Sequence, residues 1–248
     1  VLNGWLRFPN STSSLLSIRG PGHFSGVLPL TLRGTIVDFS MSGQATKSTD
    51  PQTINVNVFP VADRVNEPPT DYTVGVEDNG PIPFGTTLAG TRIRDNGNTR
   101  RGNNPETETF SKVRIKVPAN SASVIYKVAA GPFLPASYQE VQGIYSGVGT
   151  AQISYDPNDQ IFDITSSIIT DTADIGSLSL ADRKIASDDI TRTLSAFEVT
   201  IGPEHTDENG HIDVVFTTLD VNLGIYSELD SAFRHDLVVL AVADVSVC

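Results

Sequence analysis

Oxygen-bearing side chains are the groups in this chain whose types and spacing can do chemistry, and that chemistry is the binding of a hard cation. Glu77-Asp78-Asn79 places three oxygen side chains in a row. Asp207-Glu208-Asn209-Gly210, with Asp213, offers oxygens on alternate residues and a glycine for a tight turn. Calcium takes about six to eight oxygen ligands, and loops rich in Asp, Glu and Asn supply them. The second segment is not an EF-hand loop, because the twelfth-position Glu is missing and strands are expected on both sides. The competing reading is that these are solvated turn residues, since Asp and Asn favour turns on their own account.

Catalytic arrangements find little support. The histidines are His23, His205, His211 and His235, and no Cys–His pair, His-Glu-x-x-His or phosphate loop accompanies them. "GIYSGVG" (143–149) lacks the spacing of a nucleophile elbow. Asp188 and Asp189 are neighbours on an expected helix and point in different directions, whereas glycosidase chemistry needs two carboxyls facing across a cleft. The chain is therefore expected not to be an enzyme.

The elements that position the acidic groups come in two copies. "FPVAD" ends at Asp63 and "LAVAD" at Asp244. Upstream, Gly20-Pro21 precedes His23, and Gly202-Pro203 precedes His205; "RGTIVD" ends at Asp38 and "FTTLD" at Asp220. Gly20 and Gly202 are 182 residues apart, Asp38 and Asp220 also 182, and Asp63 and Asp244 are 181 apart. One period with a one-residue slip is an internal repeat. Residues 1–62 read as the closing part of one repeat, and 63–248 as a complete one, enlarged if the segment near 129–147 is an insertion.

Composition agrees with a β-rich, multi-module protein. Of 248 residues, 39% are hydrophobic, enough for packed cores, and 20 Gly and 15 Pro provide turns. The net charge of −12 argues against nucleic acid as a partner, because binding a polyanion needs a basic surface. No apolar run is long enough for membrane insertion of this segment. The single cysteine, Cys248, cannot form an internal disulfide.

Period-two alternation predicts strands in "KVRIKV" (112–117), "SVIYKV" (123–128), "TAQISY" (150–155), "QIFDIT" (160–165), "AFEVTI" (196–201), "IDVVFTT" (212–218) and "HDLVVLAV" (235–242). "DNG" (95–97), "DPND" (156–159) and "DENG" (207–210) read as turns between them. One stretch breaks the pattern: "SLADRKIASDDITRTL" (179–194) spaces Ala186, Ile190 and Leu194 by four, after a Ser179/Asp182 capping box. "VNEPPTD" (65–71) reads as a linker, and 90–109 as a loop. The sum is an all-β fold of antiparallel β-sandwich repeats in tandem, with one short helix.

The order of these segments resembles the tandem extender repeats of giant bacterial adhesins secreted by the type I route, the RTX or LapA-like adhesins. The resemblance rests on "PVAD", then "VGVEDNGPIPF", "NNPETETFSKVRIKVP", a β-rich middle, a short helix, "VTIGPEHTDENGHIDVVFTTLD" and a last strand into "VAD". It implies Ig-like or cadherin-like β-sandwiches on a long extracellular stalk stiffened by calcium at the domain junctions. On this reading Asp63, Glu77, Asp78, Glu106, Glu108, Asp207 and Asp220 include the ligands of junction calcium ions. The family pattern pairs aspartates in its middle acidic stretch, where this chain has "NNPETE". The partners expected are neighbouring repeats of the same chain or copies of it. The alternative is a subunit of an extracellular filament or sheath, in which 1–62 completes a neighbour by strand pairing. A carbohydrate-binding role lacks an aromatic platform, since aromatics are 7% and scattered.

Overall fold

The computed structural model describes residues 17–18, 24–76, 80–93, 107–118, 121–126, 143–201 and 210–240. The chain divides into two compact units, Val1–Val58 and Phe59–Cys248.

The first unit contains β1 (Gly26–Leu32), β2 (Thr35–Ser40), β3 (Gly43–Ser48) and β4 (Gln52–Val58). β2 and β3 form a hairpin, and β1 pairs antiparallel with β4. Every described residue of β2 and β3 is exposed.

The second unit is mostly β. Its main sheet uses β5 (Tyr72–Val76), β6 (Thr109–Lys116), β8 (Gly143–Ser146), β9 (Ala151–Asp156), β10 (Ile161–Ser166), β12 (Gly210–Asn222) and β13 (Ile225–Leu240). Their order across the sheet is β5-β13-β12-β6-β10-β9-β8. A separate ribbon pairs β7 (Ser121–Tyr126) with β11 (Phe197–Ile201). Among the described residues three α-helices accompany them: α1 (Phe84–Leu88), α2 (Ser167–Thr170) and α3 (Leu180–Leu194).

Alternation puts one face of the main sheet in the core. On β6, Val113 and Ile115 are buried while Arg114 and Lys116 are exposed. The same holds for Ile153 and Tyr155 on β9, Phe162 and Ile164 on β10, and Ile212, Val214 and Phe216 on β12. These pack against Ile190 and Leu194 of α3, Phe84 and Leu88 of α1, and Val124, Phe197 and Val199 of the ribbon, all in one cluster. Phe197 meets Phe162 edge-on at 5.6 Å, which joins the ribbon to the sheet.

The helix expected at 179–194 is α3. The Ser179 hydroxyl accepts from the Asp182 amide at 3.1 Å and caps it, and Ala186, Ile190 and Leu194 are fully buried. Three expectations need correction. Two further short helices exist, and α1 arises where "PIPFGTTL" carries no helical periodicity; Phe84 and Leu88 are held there by the core. The sheet is not purely antiparallel, because β5 runs parallel to β13. The stretch 65–71 is no free tether: Val65 is buried in the core, and the Asn66 amide donates to the Arg92 carbonyl at 2.8 Å. At the end of the expected insertion 129–147, Gly143–Ser146 is a strand, while 129–142 lies outside the described residues.

Backbone pairing carries the repeat into three dimensions. Shifting Thr35↔Ser48 of the first unit by 182 gives Thr217↔Asp230, and shifting Asp38↔Ala45 gives Asp220↔Ser227; both are pairs of the β12–β13 hairpin. For Leu30↔Ile54, a shift of 182 on β1 and 181 on β4 gives Ile212↔His235, again a pair of that hairpin. The one-residue slip therefore falls between β3 and β4. The long hairpin of the second unit appears in the first as two shorter ladders, β2–β3 and β1–β4. Both hairpins turn through two residues, Leu223-Gly224 and Met41-Ser42. Leu223 and Gly224 both have positive φ (56° and 73°), the turn that suits strand twist.

Candidate functional site

Three of the expected ligands lie around one stretch of β12. Asp220 is in that strand and buried, with 4% of its surface exposed. Thr109 pairs with Leu219, so Glu108 enters β6 beside Asp220. Asp63 comes from the segment that runs along β13, where the Ala62 amide donates to Ser227 Oγ and the Val65 amide to Ser231 Oγ, each at 3.2 Å. The Thr218 hydroxyl donates to the Asp63 carbonyl at 2.7 Å, fixing that segment two residues from Asp220.

Arg183 of α3, itself 3% exposed, feels the charge of Asp220. Its guanidinium donates to the Thr107 carbonyl through Nη1 and to the Val221 carbonyl at 3.4 Å through Nη2. Burial pushes the Arg183 pKa down, and the Asp220 carboxylate opposes that shift. Asp220 Oδ1 and Arg183 Nε make no hydrogen bond. The arrangement joins α3 to the start of β6 and the end of β12 through a buried cation and two backbone carbonyls. Sequence reasoning missed Arg183, although its spacing from Ala186 and Ile190 places it on the apolar stripe of the helix, where a charged residue must find buried partners.

Among the described residues, no three His, Cys, Asp or Glu side chains gather closely enough to hold a metal ion. Glu77, Asp78, Glu106 and Asp207 lie outside the described residues. The described residues that border two of these segments are Val76, paired with Leu240, and Gly210, paired with Leu237. Both are at the end of the hairpin opposite Asp220; ten steps of extended chain separate Gly210 from Asp220, roughly 33 Å.

Beside Asp63, a groove of 630 Å³ is lined by Arg64, Asn66, Glu67, Asp230 and Phe233 among others. Its walls mix both charges, and the Asp230 carboxylate already accepts from the Thr217 hydroxyl at 2.6 Å.

His235, at the β5–β13 seam, is fully buried. Its Nε2 lies 2.7 Å from Thr73 Oγ1, and that hydroxyl is 3.3 Å from Thr87 Oγ1. Nδ1 has no partner of hydrogen-bonding geometry. Burial lowers the His235 pKa, against the smaller opposing effects of Asp236, Asp71 and the Thr70 backbone. His211 is half-exposed and 3.8 Å from Asp213. His23 and His205 are outside the described residues.

Asp189 does structural work. Its Oδ2 accepts from the Thr150 amide at 2.8 Å and the Thr150 hydroxyl at 2.9 Å. Gly149, with φ of 59°, sits against the same carboxylate, where a Cβ would come within 2.3 Å of Oδ2. Asp188, its neighbour, is exposed.

No family model, no curated protein and no solved structure matches this chain.

Proposed function

We propose that this chain is a segment of a tandem-repeat stalk of a large extracellular bacterial adhesin of the RTX type. Its modules act as Ig-like β-sandwiches that hold a distal binding domain away from the cell. The observation that carries this reading is the duplicated hairpin, in which the β2–β3 and β1–β4 pairings map onto β12–β13 with the offsets of 182 and 181 seen in the sequence. A repeated module whose strands recur in register is what a stacked rod requires. The acidic, disulfide-free composition suits a solvated, self-repelling extracellular rod.

Calcium would stiffen the junctions by bridging carboxylates and carbonyls at the ends of each module. Asp63, Glu77, Asp78, Glu106, Glu108, Asp207 and Asp220 would supply these carboxylates. A cation near Asp220 would also relieve its unpaired Oδ1, in competition with Arg183.

Thermal unfolding of the whole chain with millimolar calcium and with excess chelator tests this. A calcium ion that binds only the folded state at about a hundred times its Kd adds about 2.7 kcal/mol, so the expected result is a rise of several degrees in Tm. An unchanged Tm would mean that these carboxylates hold no calcium. The exposed edges and faces of β1–β4 favour a second reading, a filament subunit joined to other copies by strand pairing. Concentration-dependent polymerisation would select it.

A further inference from the structure

β5 is a short strand with few side chains to anchor it. It ends the main sheet, and among the described residues β13 is its one strand partner. Tyr72, Val74 and Val76 are each at least 39% exposed. Of the two half-buried positions, Gly75 brings no side chain; Ile82 packs where a Cβ would come within 2.4 Å, and it is held separately by paired backbone bonds to Val199. The other, Thr73, puts its hydroxyl 2.7 Å from Nε2 of the buried His235 and 3.3 Å from Thr87 Oγ1 of α1. The backbone seam begins at the same place, where the Asp236 amide donates to the Asp71 carbonyl at 2.8 Å. Around the ring, β12 contributes Ile212 as the cross-strand partner, and α1 has no charged residue. The charged groups nearby are Asp71, ahead of β5, and Asp236 on β13. Asp236 pairs with Arg234 at 2.8 Å and stands opposite His211 of β12, itself 3.8 Å from Asp213. None of these bonds His235 Nδ1, which has no partner of hydrogen-bonding geometry.

We propose that His235 is an acid-operated latch: when its ring takes up a proton, β5 detaches from β13 and opens the β13 edge at Asp236–Leu240, while the β12–β13 hairpin stays folded. An imidazolium donates from both nitrogens. In the closed seam Nδ1 would then be an unbonded donor on a buried cation, an arrangement a protein interior does not tolerate. Release of β5 is the least costly relief. It gives the ring water and exposes little apolar surface, and β13 keeps its whole ladder to β12. Burial lowers the proton affinity of the ring in the closed state, so the open state takes the proton first. The latch is shut above the unfolded imidazole value of about 6.5, and it opens as pH falls from there through the folded value. The device needs neither calcium nor the stalk reading.

The test is amide hydrogen exchange of the intact chain across this pH range, expressed as protection factors so that the intrinsic pH dependence of exchange drops out. The expected result is that protection of the seam amides, Asp236 and those of Tyr72–Val76, falls by up to about tenfold per pH unit. Amides between β12 and β6 should keep theirs. The fall should track the His235 ring titration read by NMR on the same chain, vanish in His235→Gln and persist in His211→Gln. Seam protection that does not change with pH would overturn the proposal. So would an equal fall between β12 and β6, which is global unfolding, or a slope that survives His235→Gln or is lost in His211→Gln. If His235→Gln does not fold, the unsubstituted chain decides: a seam midpoint that departs from the His235 ring titration sinks the latch, and a shared midpoint supports it.

Discussion

The β12–β13 hairpin and its copy in β1–β4 share a register and differ in what lies over them. In the second unit Ile212 and Leu237 are completely buried in the core cluster; in the first, the equivalent Leu30 and Val56 are only half-buried. Backbone hydrogen bonding is therefore set by the strand sequence and the turn, while stability is set by the covering layer. A two-stranded ladder alone is marginal in water. The comparison also locates the slip: the extra residue sits between β3 and β4, where the copy breaks into two ladders and the Thr49 amide donates to the Gly34 carbonyl at 2.9 Å.

Matched substitutions break the comparison most sharply. Ile212→Ala removes a fully buried side chain and is expected to cost about 2–5 kcal/mol, measured by urea unfolding of the second unit. Leu30→Ala, its equivalent, is expected to cost less than about 1 kcal/mol by urea unfolding of the first unit. Equal costs would mean that the first hairpin has a core of its own. Next in size is Asp189→Ala, which strands the Thr150 amide and hydroxyl and loosens the β8–β9 turn from α3; a loss of about 1–3 kcal/mol is expected, and Asp188→Ala should leave the midpoint unchanged.

Acid should separate the two hairpins as well, because Ile54 stands where the second has His235. The folded-state pKa of His235 is depressed, so the unfolded chain binds its proton first as the pH drops. Its contribution is full above the unfolded imidazole value of about 6.5 and is lost as pH falls from there through the folded value. His235→Gln should flatten that part of the stability profile of the second unit. The smallest effect is expected at Arg114, whose two-pronged pair with Asp163 (2.8 and 2.9 Å) lies on the open face of the sheet. Arg114→Ala should cost about 0.2–1 kcal/mol and lose even that in high salt.

Much of the second unit was legible from alternation and turn chemistry. Val113, Ile115 and Val117 share a buried face as expected, and the Asp156–Asp159 turn closes β9 and β10, with Asp156 Oδ1 accepting from the Asn158 amide. α3 was legible because its cap and its four-residue spacing agree. The parallel pairing of β5 was not, since strand direction depends on which partner the chain finds across more than 150 residues. α1 was hidden because tertiary burial, not periodicity, holds its five residues. At the candidate site, the repeated Asp38/Asp220 pair drew attention to the stretch of β12 where Asp220 is buried. Asp220's neighbour Arg183 stayed out of view because a residue on a distant helix carries no mark of the carboxylate it will meet.

Amide hydrogen exchange on the intact chain, without additives, tests the central claim most directly. If one hairpin is present twice and only one copy is covered, amides of β12–β13 should exchange about a hundredfold or more slowly than those at the equivalent positions of β1–β4. Comparable protection in the two hairpins would contradict the account, because the first unit would then carry a complete core.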